Sequence, residues 1–218
     1  MAARPGQKLM TAATSARRPS REELAGAERK RLPDVIGPEL DVLFCGINPG
    51  LYSAATGHHF ARPGNRFWPT LFAAGFTPRL MHAFEDEMLL ELGLGITNLV
   101  DRTTASADQL TREELMAGAK GLERKLRAYR PRVLAMVGLG AYRMAFEAPK
   151  ATSGLQQRTI GETQVWLLPN PSGLNAHHQV ADLAVLFGEL RRHATTLPRE
   201  PRAASKRRAP KRGSDVDS

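Results

Sequence analysis

Cysteine is almost absent from this 218-residue sequence, which contains only Cys45. One cysteine forms no internal disulfide and supplies no cysteine-based metal site. Cys45 lies in the apolar run 42–45, so we interpret it as a small buried hydrophobic side chain rather than a nucleophile. The missing disulfide, together with an N-terminus that lacks the apolar core of a secretory signal peptide, favours an intracellular, reducing compartment.

Long apolar runs are also missing, and no stretch approaches the roughly 20 consecutive apolar residues of a membrane span. Hydrophobic residues make up 42% of the chain and charged residues 24%, as in ordinary globular proteins. The length suits one sizeable domain with flanking segments. We therefore expect a soluble protein with a single domain over residues 33–197 and no membrane partner.

Excess charge of either sign is absent from the middle of the chain, although the whole chain carries +9. Residues 1–32 contain eight Lys or Arg against three Glu, and residues 198–218 contain seven against three acids. We interpret 1–32 as a basic tail with a short helix and 198–218 as a disordered basic tail. Two roles remain open for such tails, namely solubility and contact with the phosphates of a polyanionic partner.

Apolar strands alternate with amphipathic helices between the tails. Strands are predicted over 42–47, 96–100, 133–137 and 165–168. Capping-box spacings at Ser20 and Thr111 predict two helix starts, and further helices are predicted over 67–74, 85–92, 141–147 and 177–193. This alternation predicts an α/β fold with three α/β/α layers and a mainly parallel central sheet, whose ligands bind beyond the carboxyl ends of the strands.

Two polar turns follow predicted buried strands. The first reads Gly46-Ile47-Asn48-Pro49-Gly50 and the second reads Asn170-Pro171-Ser172-Gly173. Each is an ordinary turn when taken alone. Because both fall at the same edge of the predicted sheet, together they indicate a cleft.

Five blocks of sequence follow one another in a characteristic order. They are Gly46-Ile47-Asn48-Pro49-Gly50, Gly57-His58-His59-Phe60, Pro63-Gly64-Asn65-Arg66-Phe67-Trp68, Ile96-Thr97-Asn98-Leu99-Val100-Asp101-Arg102-Thr103-Thr104 and Asn170-Pro171-Ser172-Gly173-Leu174. Together they resemble the mismatch-specific uracil-DNA and thymine-DNA glycosylases, a branch of the uracil-DNA glycosylase superfamily. The resemblance runs from about residue 40 to 193. It implies a uracil-DNA glycosylase-like fold and a monofunctional hydrolase that removes uracil opposite guanine in duplex DNA, leaving an abasic site for base excision repair.

By this resemblance, Asn48 positions the attacking water. The sugar is already electrophilic in an oxocarbenium-like transition state, so the water chiefly needs orientation, which an amide can supply. The two motif loops contain no lysine that could act as an amine nucleophile, and we therefore expect hydrolysis without a lyase step. Asp101 is the second catalytic candidate, as an auxiliary base. Orientation of Arg102 and a plain surface ion pair remain alternatives for Asp101.

The resemblance also implies a pocket for a flipped base. Phe60 matches the stacking aromatic, and backbone amides near Ile47 and Phe60 would bind uracil oxygens. Asn98 either contacts the pocket or caps a strand end. Other branches of the superfamily have histidine at the position of Asn170. Asparagine is a weaker hydrogen-bond donor than histidine, so a lower rate on uracil is expected. The substrate-binding candidates are Ile47, Gly50, Ser53, Phe60, Asn98 and Asn170, with Ser53 placed to hold a flanking phosphate.

The second turn is the expected DNA-binding loop, formed by Ser172, Gly173, Leu174 and Asn175. By resemblance, it enters the minor groove and reads the unpaired guanine, while Leu174 fills the gap left by the flipped nucleotide. Some relatives have an arginine at the position of Ala176. The positive charge that this arginine would bring to the DNA is therefore missing here.

No metal ion or cofactor is expected, because the histidine pairs 58/59 and 177/178 are adjacent in sequence and their side chains point apart. The expected partner is double-stranded DNA with G:U mismatches, and G:T mismatches are a further candidate. We expect the protein to be a monomer. Its expected location is the cytoplasm, on the bacterial nucleoid while it is bound to DNA. Two alternatives remain. One is a mismatch-binding or abasic-site-binding module with weak catalysis. The other is an enzyme that acts on free nucleotides. For this alternative, Gly138-Leu139-Gly140 matches only part of the glycine motif of dinucleotide-binding proteins.

Overall fold

Five strands form one sheet in the computed structural model, which describes residues 17–173 and 178–198. They are β1 (Val42–Gly46), β2 (Leu94–Asn98), β3 (Val133–Val137), β4 (Gly154–Ile160) and β5 (Thr163–Leu168). Their order in space is β2-β1-β3-β5-β4. All neighbouring strands are parallel except β4, which runs antiparallel to β5 at the edge. The predicted α/β fold with a mainly parallel sheet is confirmed.

Six α-helices surround the sheet within the described residues. They are α1 (Arg21–Gly26), α2 (Leu51–Thr56), α3 (Phe67–Ala73), α4 (Arg112–Tyr129), α5 (Leu139–Ala145) and α6 (Val180–Thr196), and longer 3-10 segments include Ala83–Leu92. The Ser20 and Thr111 hydroxyls accept hydrogen bonds from backbone amides three residues later, and Glu23 and Glu114 bond back. Both predicted capping boxes are therefore present. No helix among the described residues is long and apolar enough to cross a membrane.

The core consists of two apolar layers, one on each face of the sheet. Phe44 of β1 faces α3 and α6, where its ring meets the Phe67 ring edge-on, with the centroids 5.4 Å apart. Cys45 points to the opposite face, toward the layer of α4 and α5. It is fully buried, which confirms the prediction of a buried side chain, and burial raises the pKa of its thiol.

Two elements are absent from the sequence-based prediction. Edge strand β4 is mostly polar and exposed, with the sequence GLQQRTI, and therefore lacks the apolar run by which buried strands were recognised. Helix α2 spans only six residues, between Gly50 and Gly57. The predicted start of the last helix at His177 lies outside the described residues, and α6 begins at Val180.

Candidate active site

A cavity of about 420 Å³ lies beyond the carboxyl ends of the four parallel strands. Residues at all four strand ends line it, namely Asn48 after β1, Asn98 at the end of β2, Val137 at the end of β3 and Asn170 after β5. The volume falls in the range of small-ligand pockets. The two polar turns of the sequence therefore meet at one cavity.

The carboxamide of Asn48 is held in one orientation. Its Nδ2 donates to the Arg102 carbonyl oxygen at 2.9 Å and to Thr104 Oγ1 at 2.6 Å, with a weaker contact to the Pro49 carbonyl at 3.3 Å. The carbonyl partners can only accept, which fixes the nitrogen on their side of the amide. The Oδ1 atom accepts no hydrogen bond from any described residue. Asn48 thus offers the cavity a fixed acceptor.

Thr104 reinforces this orientation of the Asn48 carboxamide. The Thr104 hydroxyl donates its only hydrogen to the Ser106 carbonyl at 2.8 Å, so toward Asn48 it can only accept. Thr104 is buried, with 3% exposure. The same segment is fastened by Arg102, which forms a two-point ion pair with Glu114 at 2.6 and 2.9 Å. Hydrogen bonds from Arg102 lower the pKa of Glu114 to about 2.

We expect Thr104→Val to lower kcat about fivefold, because the loss of one net hydrogen bond of about 1 kcal/mol loosens the Asn48 carboxamide, which the Arg102 carbonyl still holds. Thr104→Ser, which keeps the hydroxyl, should restore kcat. Single-turnover base release and the KM of both variants provide the measurement. Equal losses in the Val and Ser variants would show that Thr104 acts only by filling space.

Gly46 forms the floor of the cavity between Asn98 and Phe60. A Cβ atom at position 46 would lie 2.6 Å from Asn98 Oδ1 and 3.4 Å from Phe60 Cζ. Asn98 is 7% exposed, and its side chain forms no hydrogen bond with a described residue. Its carboxamide therefore lines the cavity with donor and acceptor atoms that a ligand can use.

Phe60 forms one wall, and one face of its ring stacks on Phe67 with the centroids 4.0 Å apart. Its backbone has a φ of +53°, in the left-handed region that non-glycine residues rarely adopt. Contacts on both sides hold this conformation. Ser53 Oγ accepts from the Ala61 amide at 3.2 Å, and buried Asp86 accepts from the His59 amide at 3.0 Å. Strained backbone of this kind persists where its surroundings over-determine it.

His59 fastens the wall through two hydrogen bonds. Its Nε2 donates to the Pro33 carbonyl at 2.9 Å, and its own carbonyl accepts from Trp68 Nε1 at 3.2 Å. Burial lowers the pKa of the imidazole and favours its neutral form. The described residues contain no cluster of three or more His, Cys, Asp or Glu that could hold a metal ion.

The second turn packs against the loop that follows Phe60. The Arg66 amide donates to the Pro171 carbonyl at 2.9 Å, and Arg66 Nη1 donates to the Ser172 carbonyl at 3.2 Å. Gly173 lies so close to Gly64 that an added Cβ would be 2.5 Å from the Gly64 carbonyl oxygen. Asn170 Oδ1 accepts from the Ser172 amide at 2.9 Å. Leu174 and Asn175, the predicted wedge and its neighbour, lie outside the described residues.

The remaining candidates occupy different positions. Ile47, Gly50 and Ser53 line the cavity. Ser53 is 7% exposed, and its hydroxyl accepts from the Ala61 amide and so fastens the wall. Its contact with a flanking phosphate stays a prediction. Asp101 does not line the cavity. Its side chain is 61% exposed and lies 3.8 Å from Lys125 Nζ of α4. The structure therefore does not place Asp101 in the cavity lining, and its catalytic role stays a prediction.

Three contributors were not identified from the sequence. Thr104 lies in one of the five blocks, but nothing local marks it as the partner of a residue 56 positions earlier. Asp86 carries no motif at all. Leu32 lies in the segment predicted as a tail, and yet it lines the cavity.

Residues 33–191 match the sequence profile of the Uracil DNA glycosylase superfamily. The chain belongs to this superfamily. Membership identifies the protein as a DNA glycosylase, a hydrolase of uracil in DNA. Among solved structures, the chain is similar to the solution NMR structure of a provisionally assigned uracil DNA glycosylase from Methanosarcina acetivorans. The two are 16% identical with a TM-score of 0.45, and the match covers 74% of this chain and 98% of the other.

Proposed function

We propose that the protein is a monofunctional glycosylase that hydrolyses the N-glycosidic bond of uracil opposite guanine in duplex DNA. The observation that carries this proposal is the fixed Asn48 carboxamide, whose Oδ1 is the one amide atom left for a water molecule in the cavity. An oriented acceptor suits a reaction in which the sugar becomes cationic before the water attacks.

Hydrolysis begins with departure of the base. The glycosidic bond breaks, its electron pair leaves with the uracil anion, and the sugar becomes an oxocarbenium-like cation. Asn98 donates to the polar edge of the base, and Phe60, braced by Phe67, stacks on its face. The water held by Asn48 Oδ1 then adds to the sugar carbon and loses a proton to the solvent, from which the uracil anion takes one up to leave as neutral uracil. No aspartate or glutamate among the described residues lines the cavity, so positioning supplies the catalysis at this step.

A monofunctional reaction is supported by the absence of an amine from the site. Among the described residues, no lysine lines the cavity. Lys125 of α4 instead pairs with Asp34 at 2.6 Å. Without a nucleophilic amine, the enzyme forms no Schiff base, and the abasic strand stays intact after the base is released.

Preference for a mismatch is supported by the second turn. Residues 170–173 are tied to the Phe60 side of the cavity by the two Arg66 hydrogen bonds and the close contact of Gly173 with Gly64. A turn held this firmly can support a wedge, for which Leu174 is our candidate, and can present backbone groups to the guanine left unpaired. Asn175 remains a candidate contact in the same loop.

The test is incubation of the full chain with labelled DNA that contains U opposite G, U opposite A, T opposite G, or U in a single strand. We expect the fastest release from U:G and strand breaks only after alkali treatment. Breaks without alkali would contradict the monofunctional reaction, and equal rates on all uracil substrates would contradict the mismatch preference. Tight binding of the U:G duplex without any uracil release would identify a binding module instead.

A further inference from the structure

The segment that precedes the family match also contributes to the site. We call residues 17–32 the N-terminal arm. Its helix α1 and the following 3-10 turn (Ala27–Arg29) pack against α2, and Ala27 is fully buried. Thr103 Oγ1 donates to the Lys30 carbonyl at 2.8 Å, and Leu32 reaches the cavity. The arm is therefore fastened both before and after the 3-10 turn.

Three consecutive cations lie between these anchors. Arg29, Lys30 and Arg31 are all exposed, and their side chains form no ion pair with a described residue. The nearest acid in sequence is the exposed Glu28. Consecutive Cα atoms are about 3.8 Å apart, so all three cations begin within about 12 Å of Leu32. Arg62, exposed and likewise without an ion pair among the described residues, lines the cavity itself.

We propose that Arg29, Lys30 and Arg31 bind the phosphodiester backbone of DNA beside the nucleotide that enters the cavity. A base turned into the cavity brings its flanking phosphates to the cavity mouth, where one wall is Leu32. Because the backbone of the arm is already held in place, its cations can contact those phosphates with little further loss of backbone conformational entropy. Each contact releases condensed counterions from the DNA. The assignment rests on the proposed function, since it needs DNA at this mouth.

The experiment compares two triple variants of the full chain. One is Arg29→Gln/Lys30→Gln/Arg31→Gln. The other is Lys120→Gln/Arg124→Gln/Arg127→Gln, which removes the same charge from exposed positions of α4, none of them lining the cavity. The affinity for a duplex with a tetrahydrofuran abasic site opposite guanine is measured over a range of salt concentrations. A third variant, Arg29→Lys/Arg31→Lys, keeps the charge.

We expect the arm triple to reduce the slope of log K against log salt by about 0.9 for each phosphate that the arm no longer neutralises, up to about 2.7. The α4 triple should change the slope by less than about 0.9, and the charge-keeping variant should retain the wild-type slope. Equal changes in the two triples, or none in the arm triple, would overturn the proposal. Because binding is measured without cleavage, a wild type that releases no uracil would refute the proposed function while the slopes still decide whether the arm binds phosphates.

Discussion

Asn48→Ala is expected to lower kcat about 10²- to 10³-fold while the Kd for DNA changes by less than about threefold. The side chain offers the cavity one fixed acceptor, and the water that we propose it orients is needed only for the chemical step. Loss of a single preorganised group in an active site has effects of this size. The carboxamide is also only one small element of a binding surface that includes the Phe60 wall and the second turn.

Single-turnover uracil release and binding to the abasic-site duplex separate the two effects. Gln157→Ala, which removes an exposed amide from edge strand β4, is the matched control and should leave both quantities unchanged. A parallel fall in kcat and affinity would mean that Asn48 holds substrate rather than water. An unchanged kcat would remove Asn48 from the mechanism altogether.

Gly46→Ala is expected to lower kcat/KM about 10²-fold and to cost roughly 1–3 kcal/mol of the free energy of unfolding. The new Cβ would lie 2.6 Å from Asn98 Oδ1, and Asn98 is buried, so its carboxamide must shift from the position in which we propose that it contacts the base. Phe60, 3.4 Å away, limits any movement in its direction. Both groups proposed to contact the base would therefore be displaced together.

The matched control is Gly140→Ala in α5, where an added Cβ meets nothing within 4 Å. This change should leave catalysis intact and should raise stability slightly, because alanine favours helix more than glycine does. Kinetics and urea unfolding of both variants provide the comparison. Wild-type kcat/KM in the Gly46 variant would be inconsistent with base recognition by Asn98 and Phe60.

Much of the framework can be predicted from the sequence because its signals are local. The apolar runs 42–47 and 133–137 predict buried strands, and the turns after them must lie at the carboxyl edge of a parallel sheet. The capping boxes at Ser20 and Thr111 need only four neighbouring residues to satisfy backbone amides. Edge strand β4 was missed because an exposed strand needs no apolar pattern.

The sequence by itself determined the α/β layers, the two strand-end loops and the position of Asn48 in the loop after β1. Only the tertiary structure decided which atom of the Asn48 carboxamide is hydrogen-bonded within the protein, since Thr104 and the Arg102 carbonyl lie 56 and 54 residues away in sequence. Packing likewise brought Leu32 to the cavity and left Asp101 outside its lining. Strand and helix patterns repeat over a few residues and can be recognised locally, whereas these contacts depend on how distant segments pack.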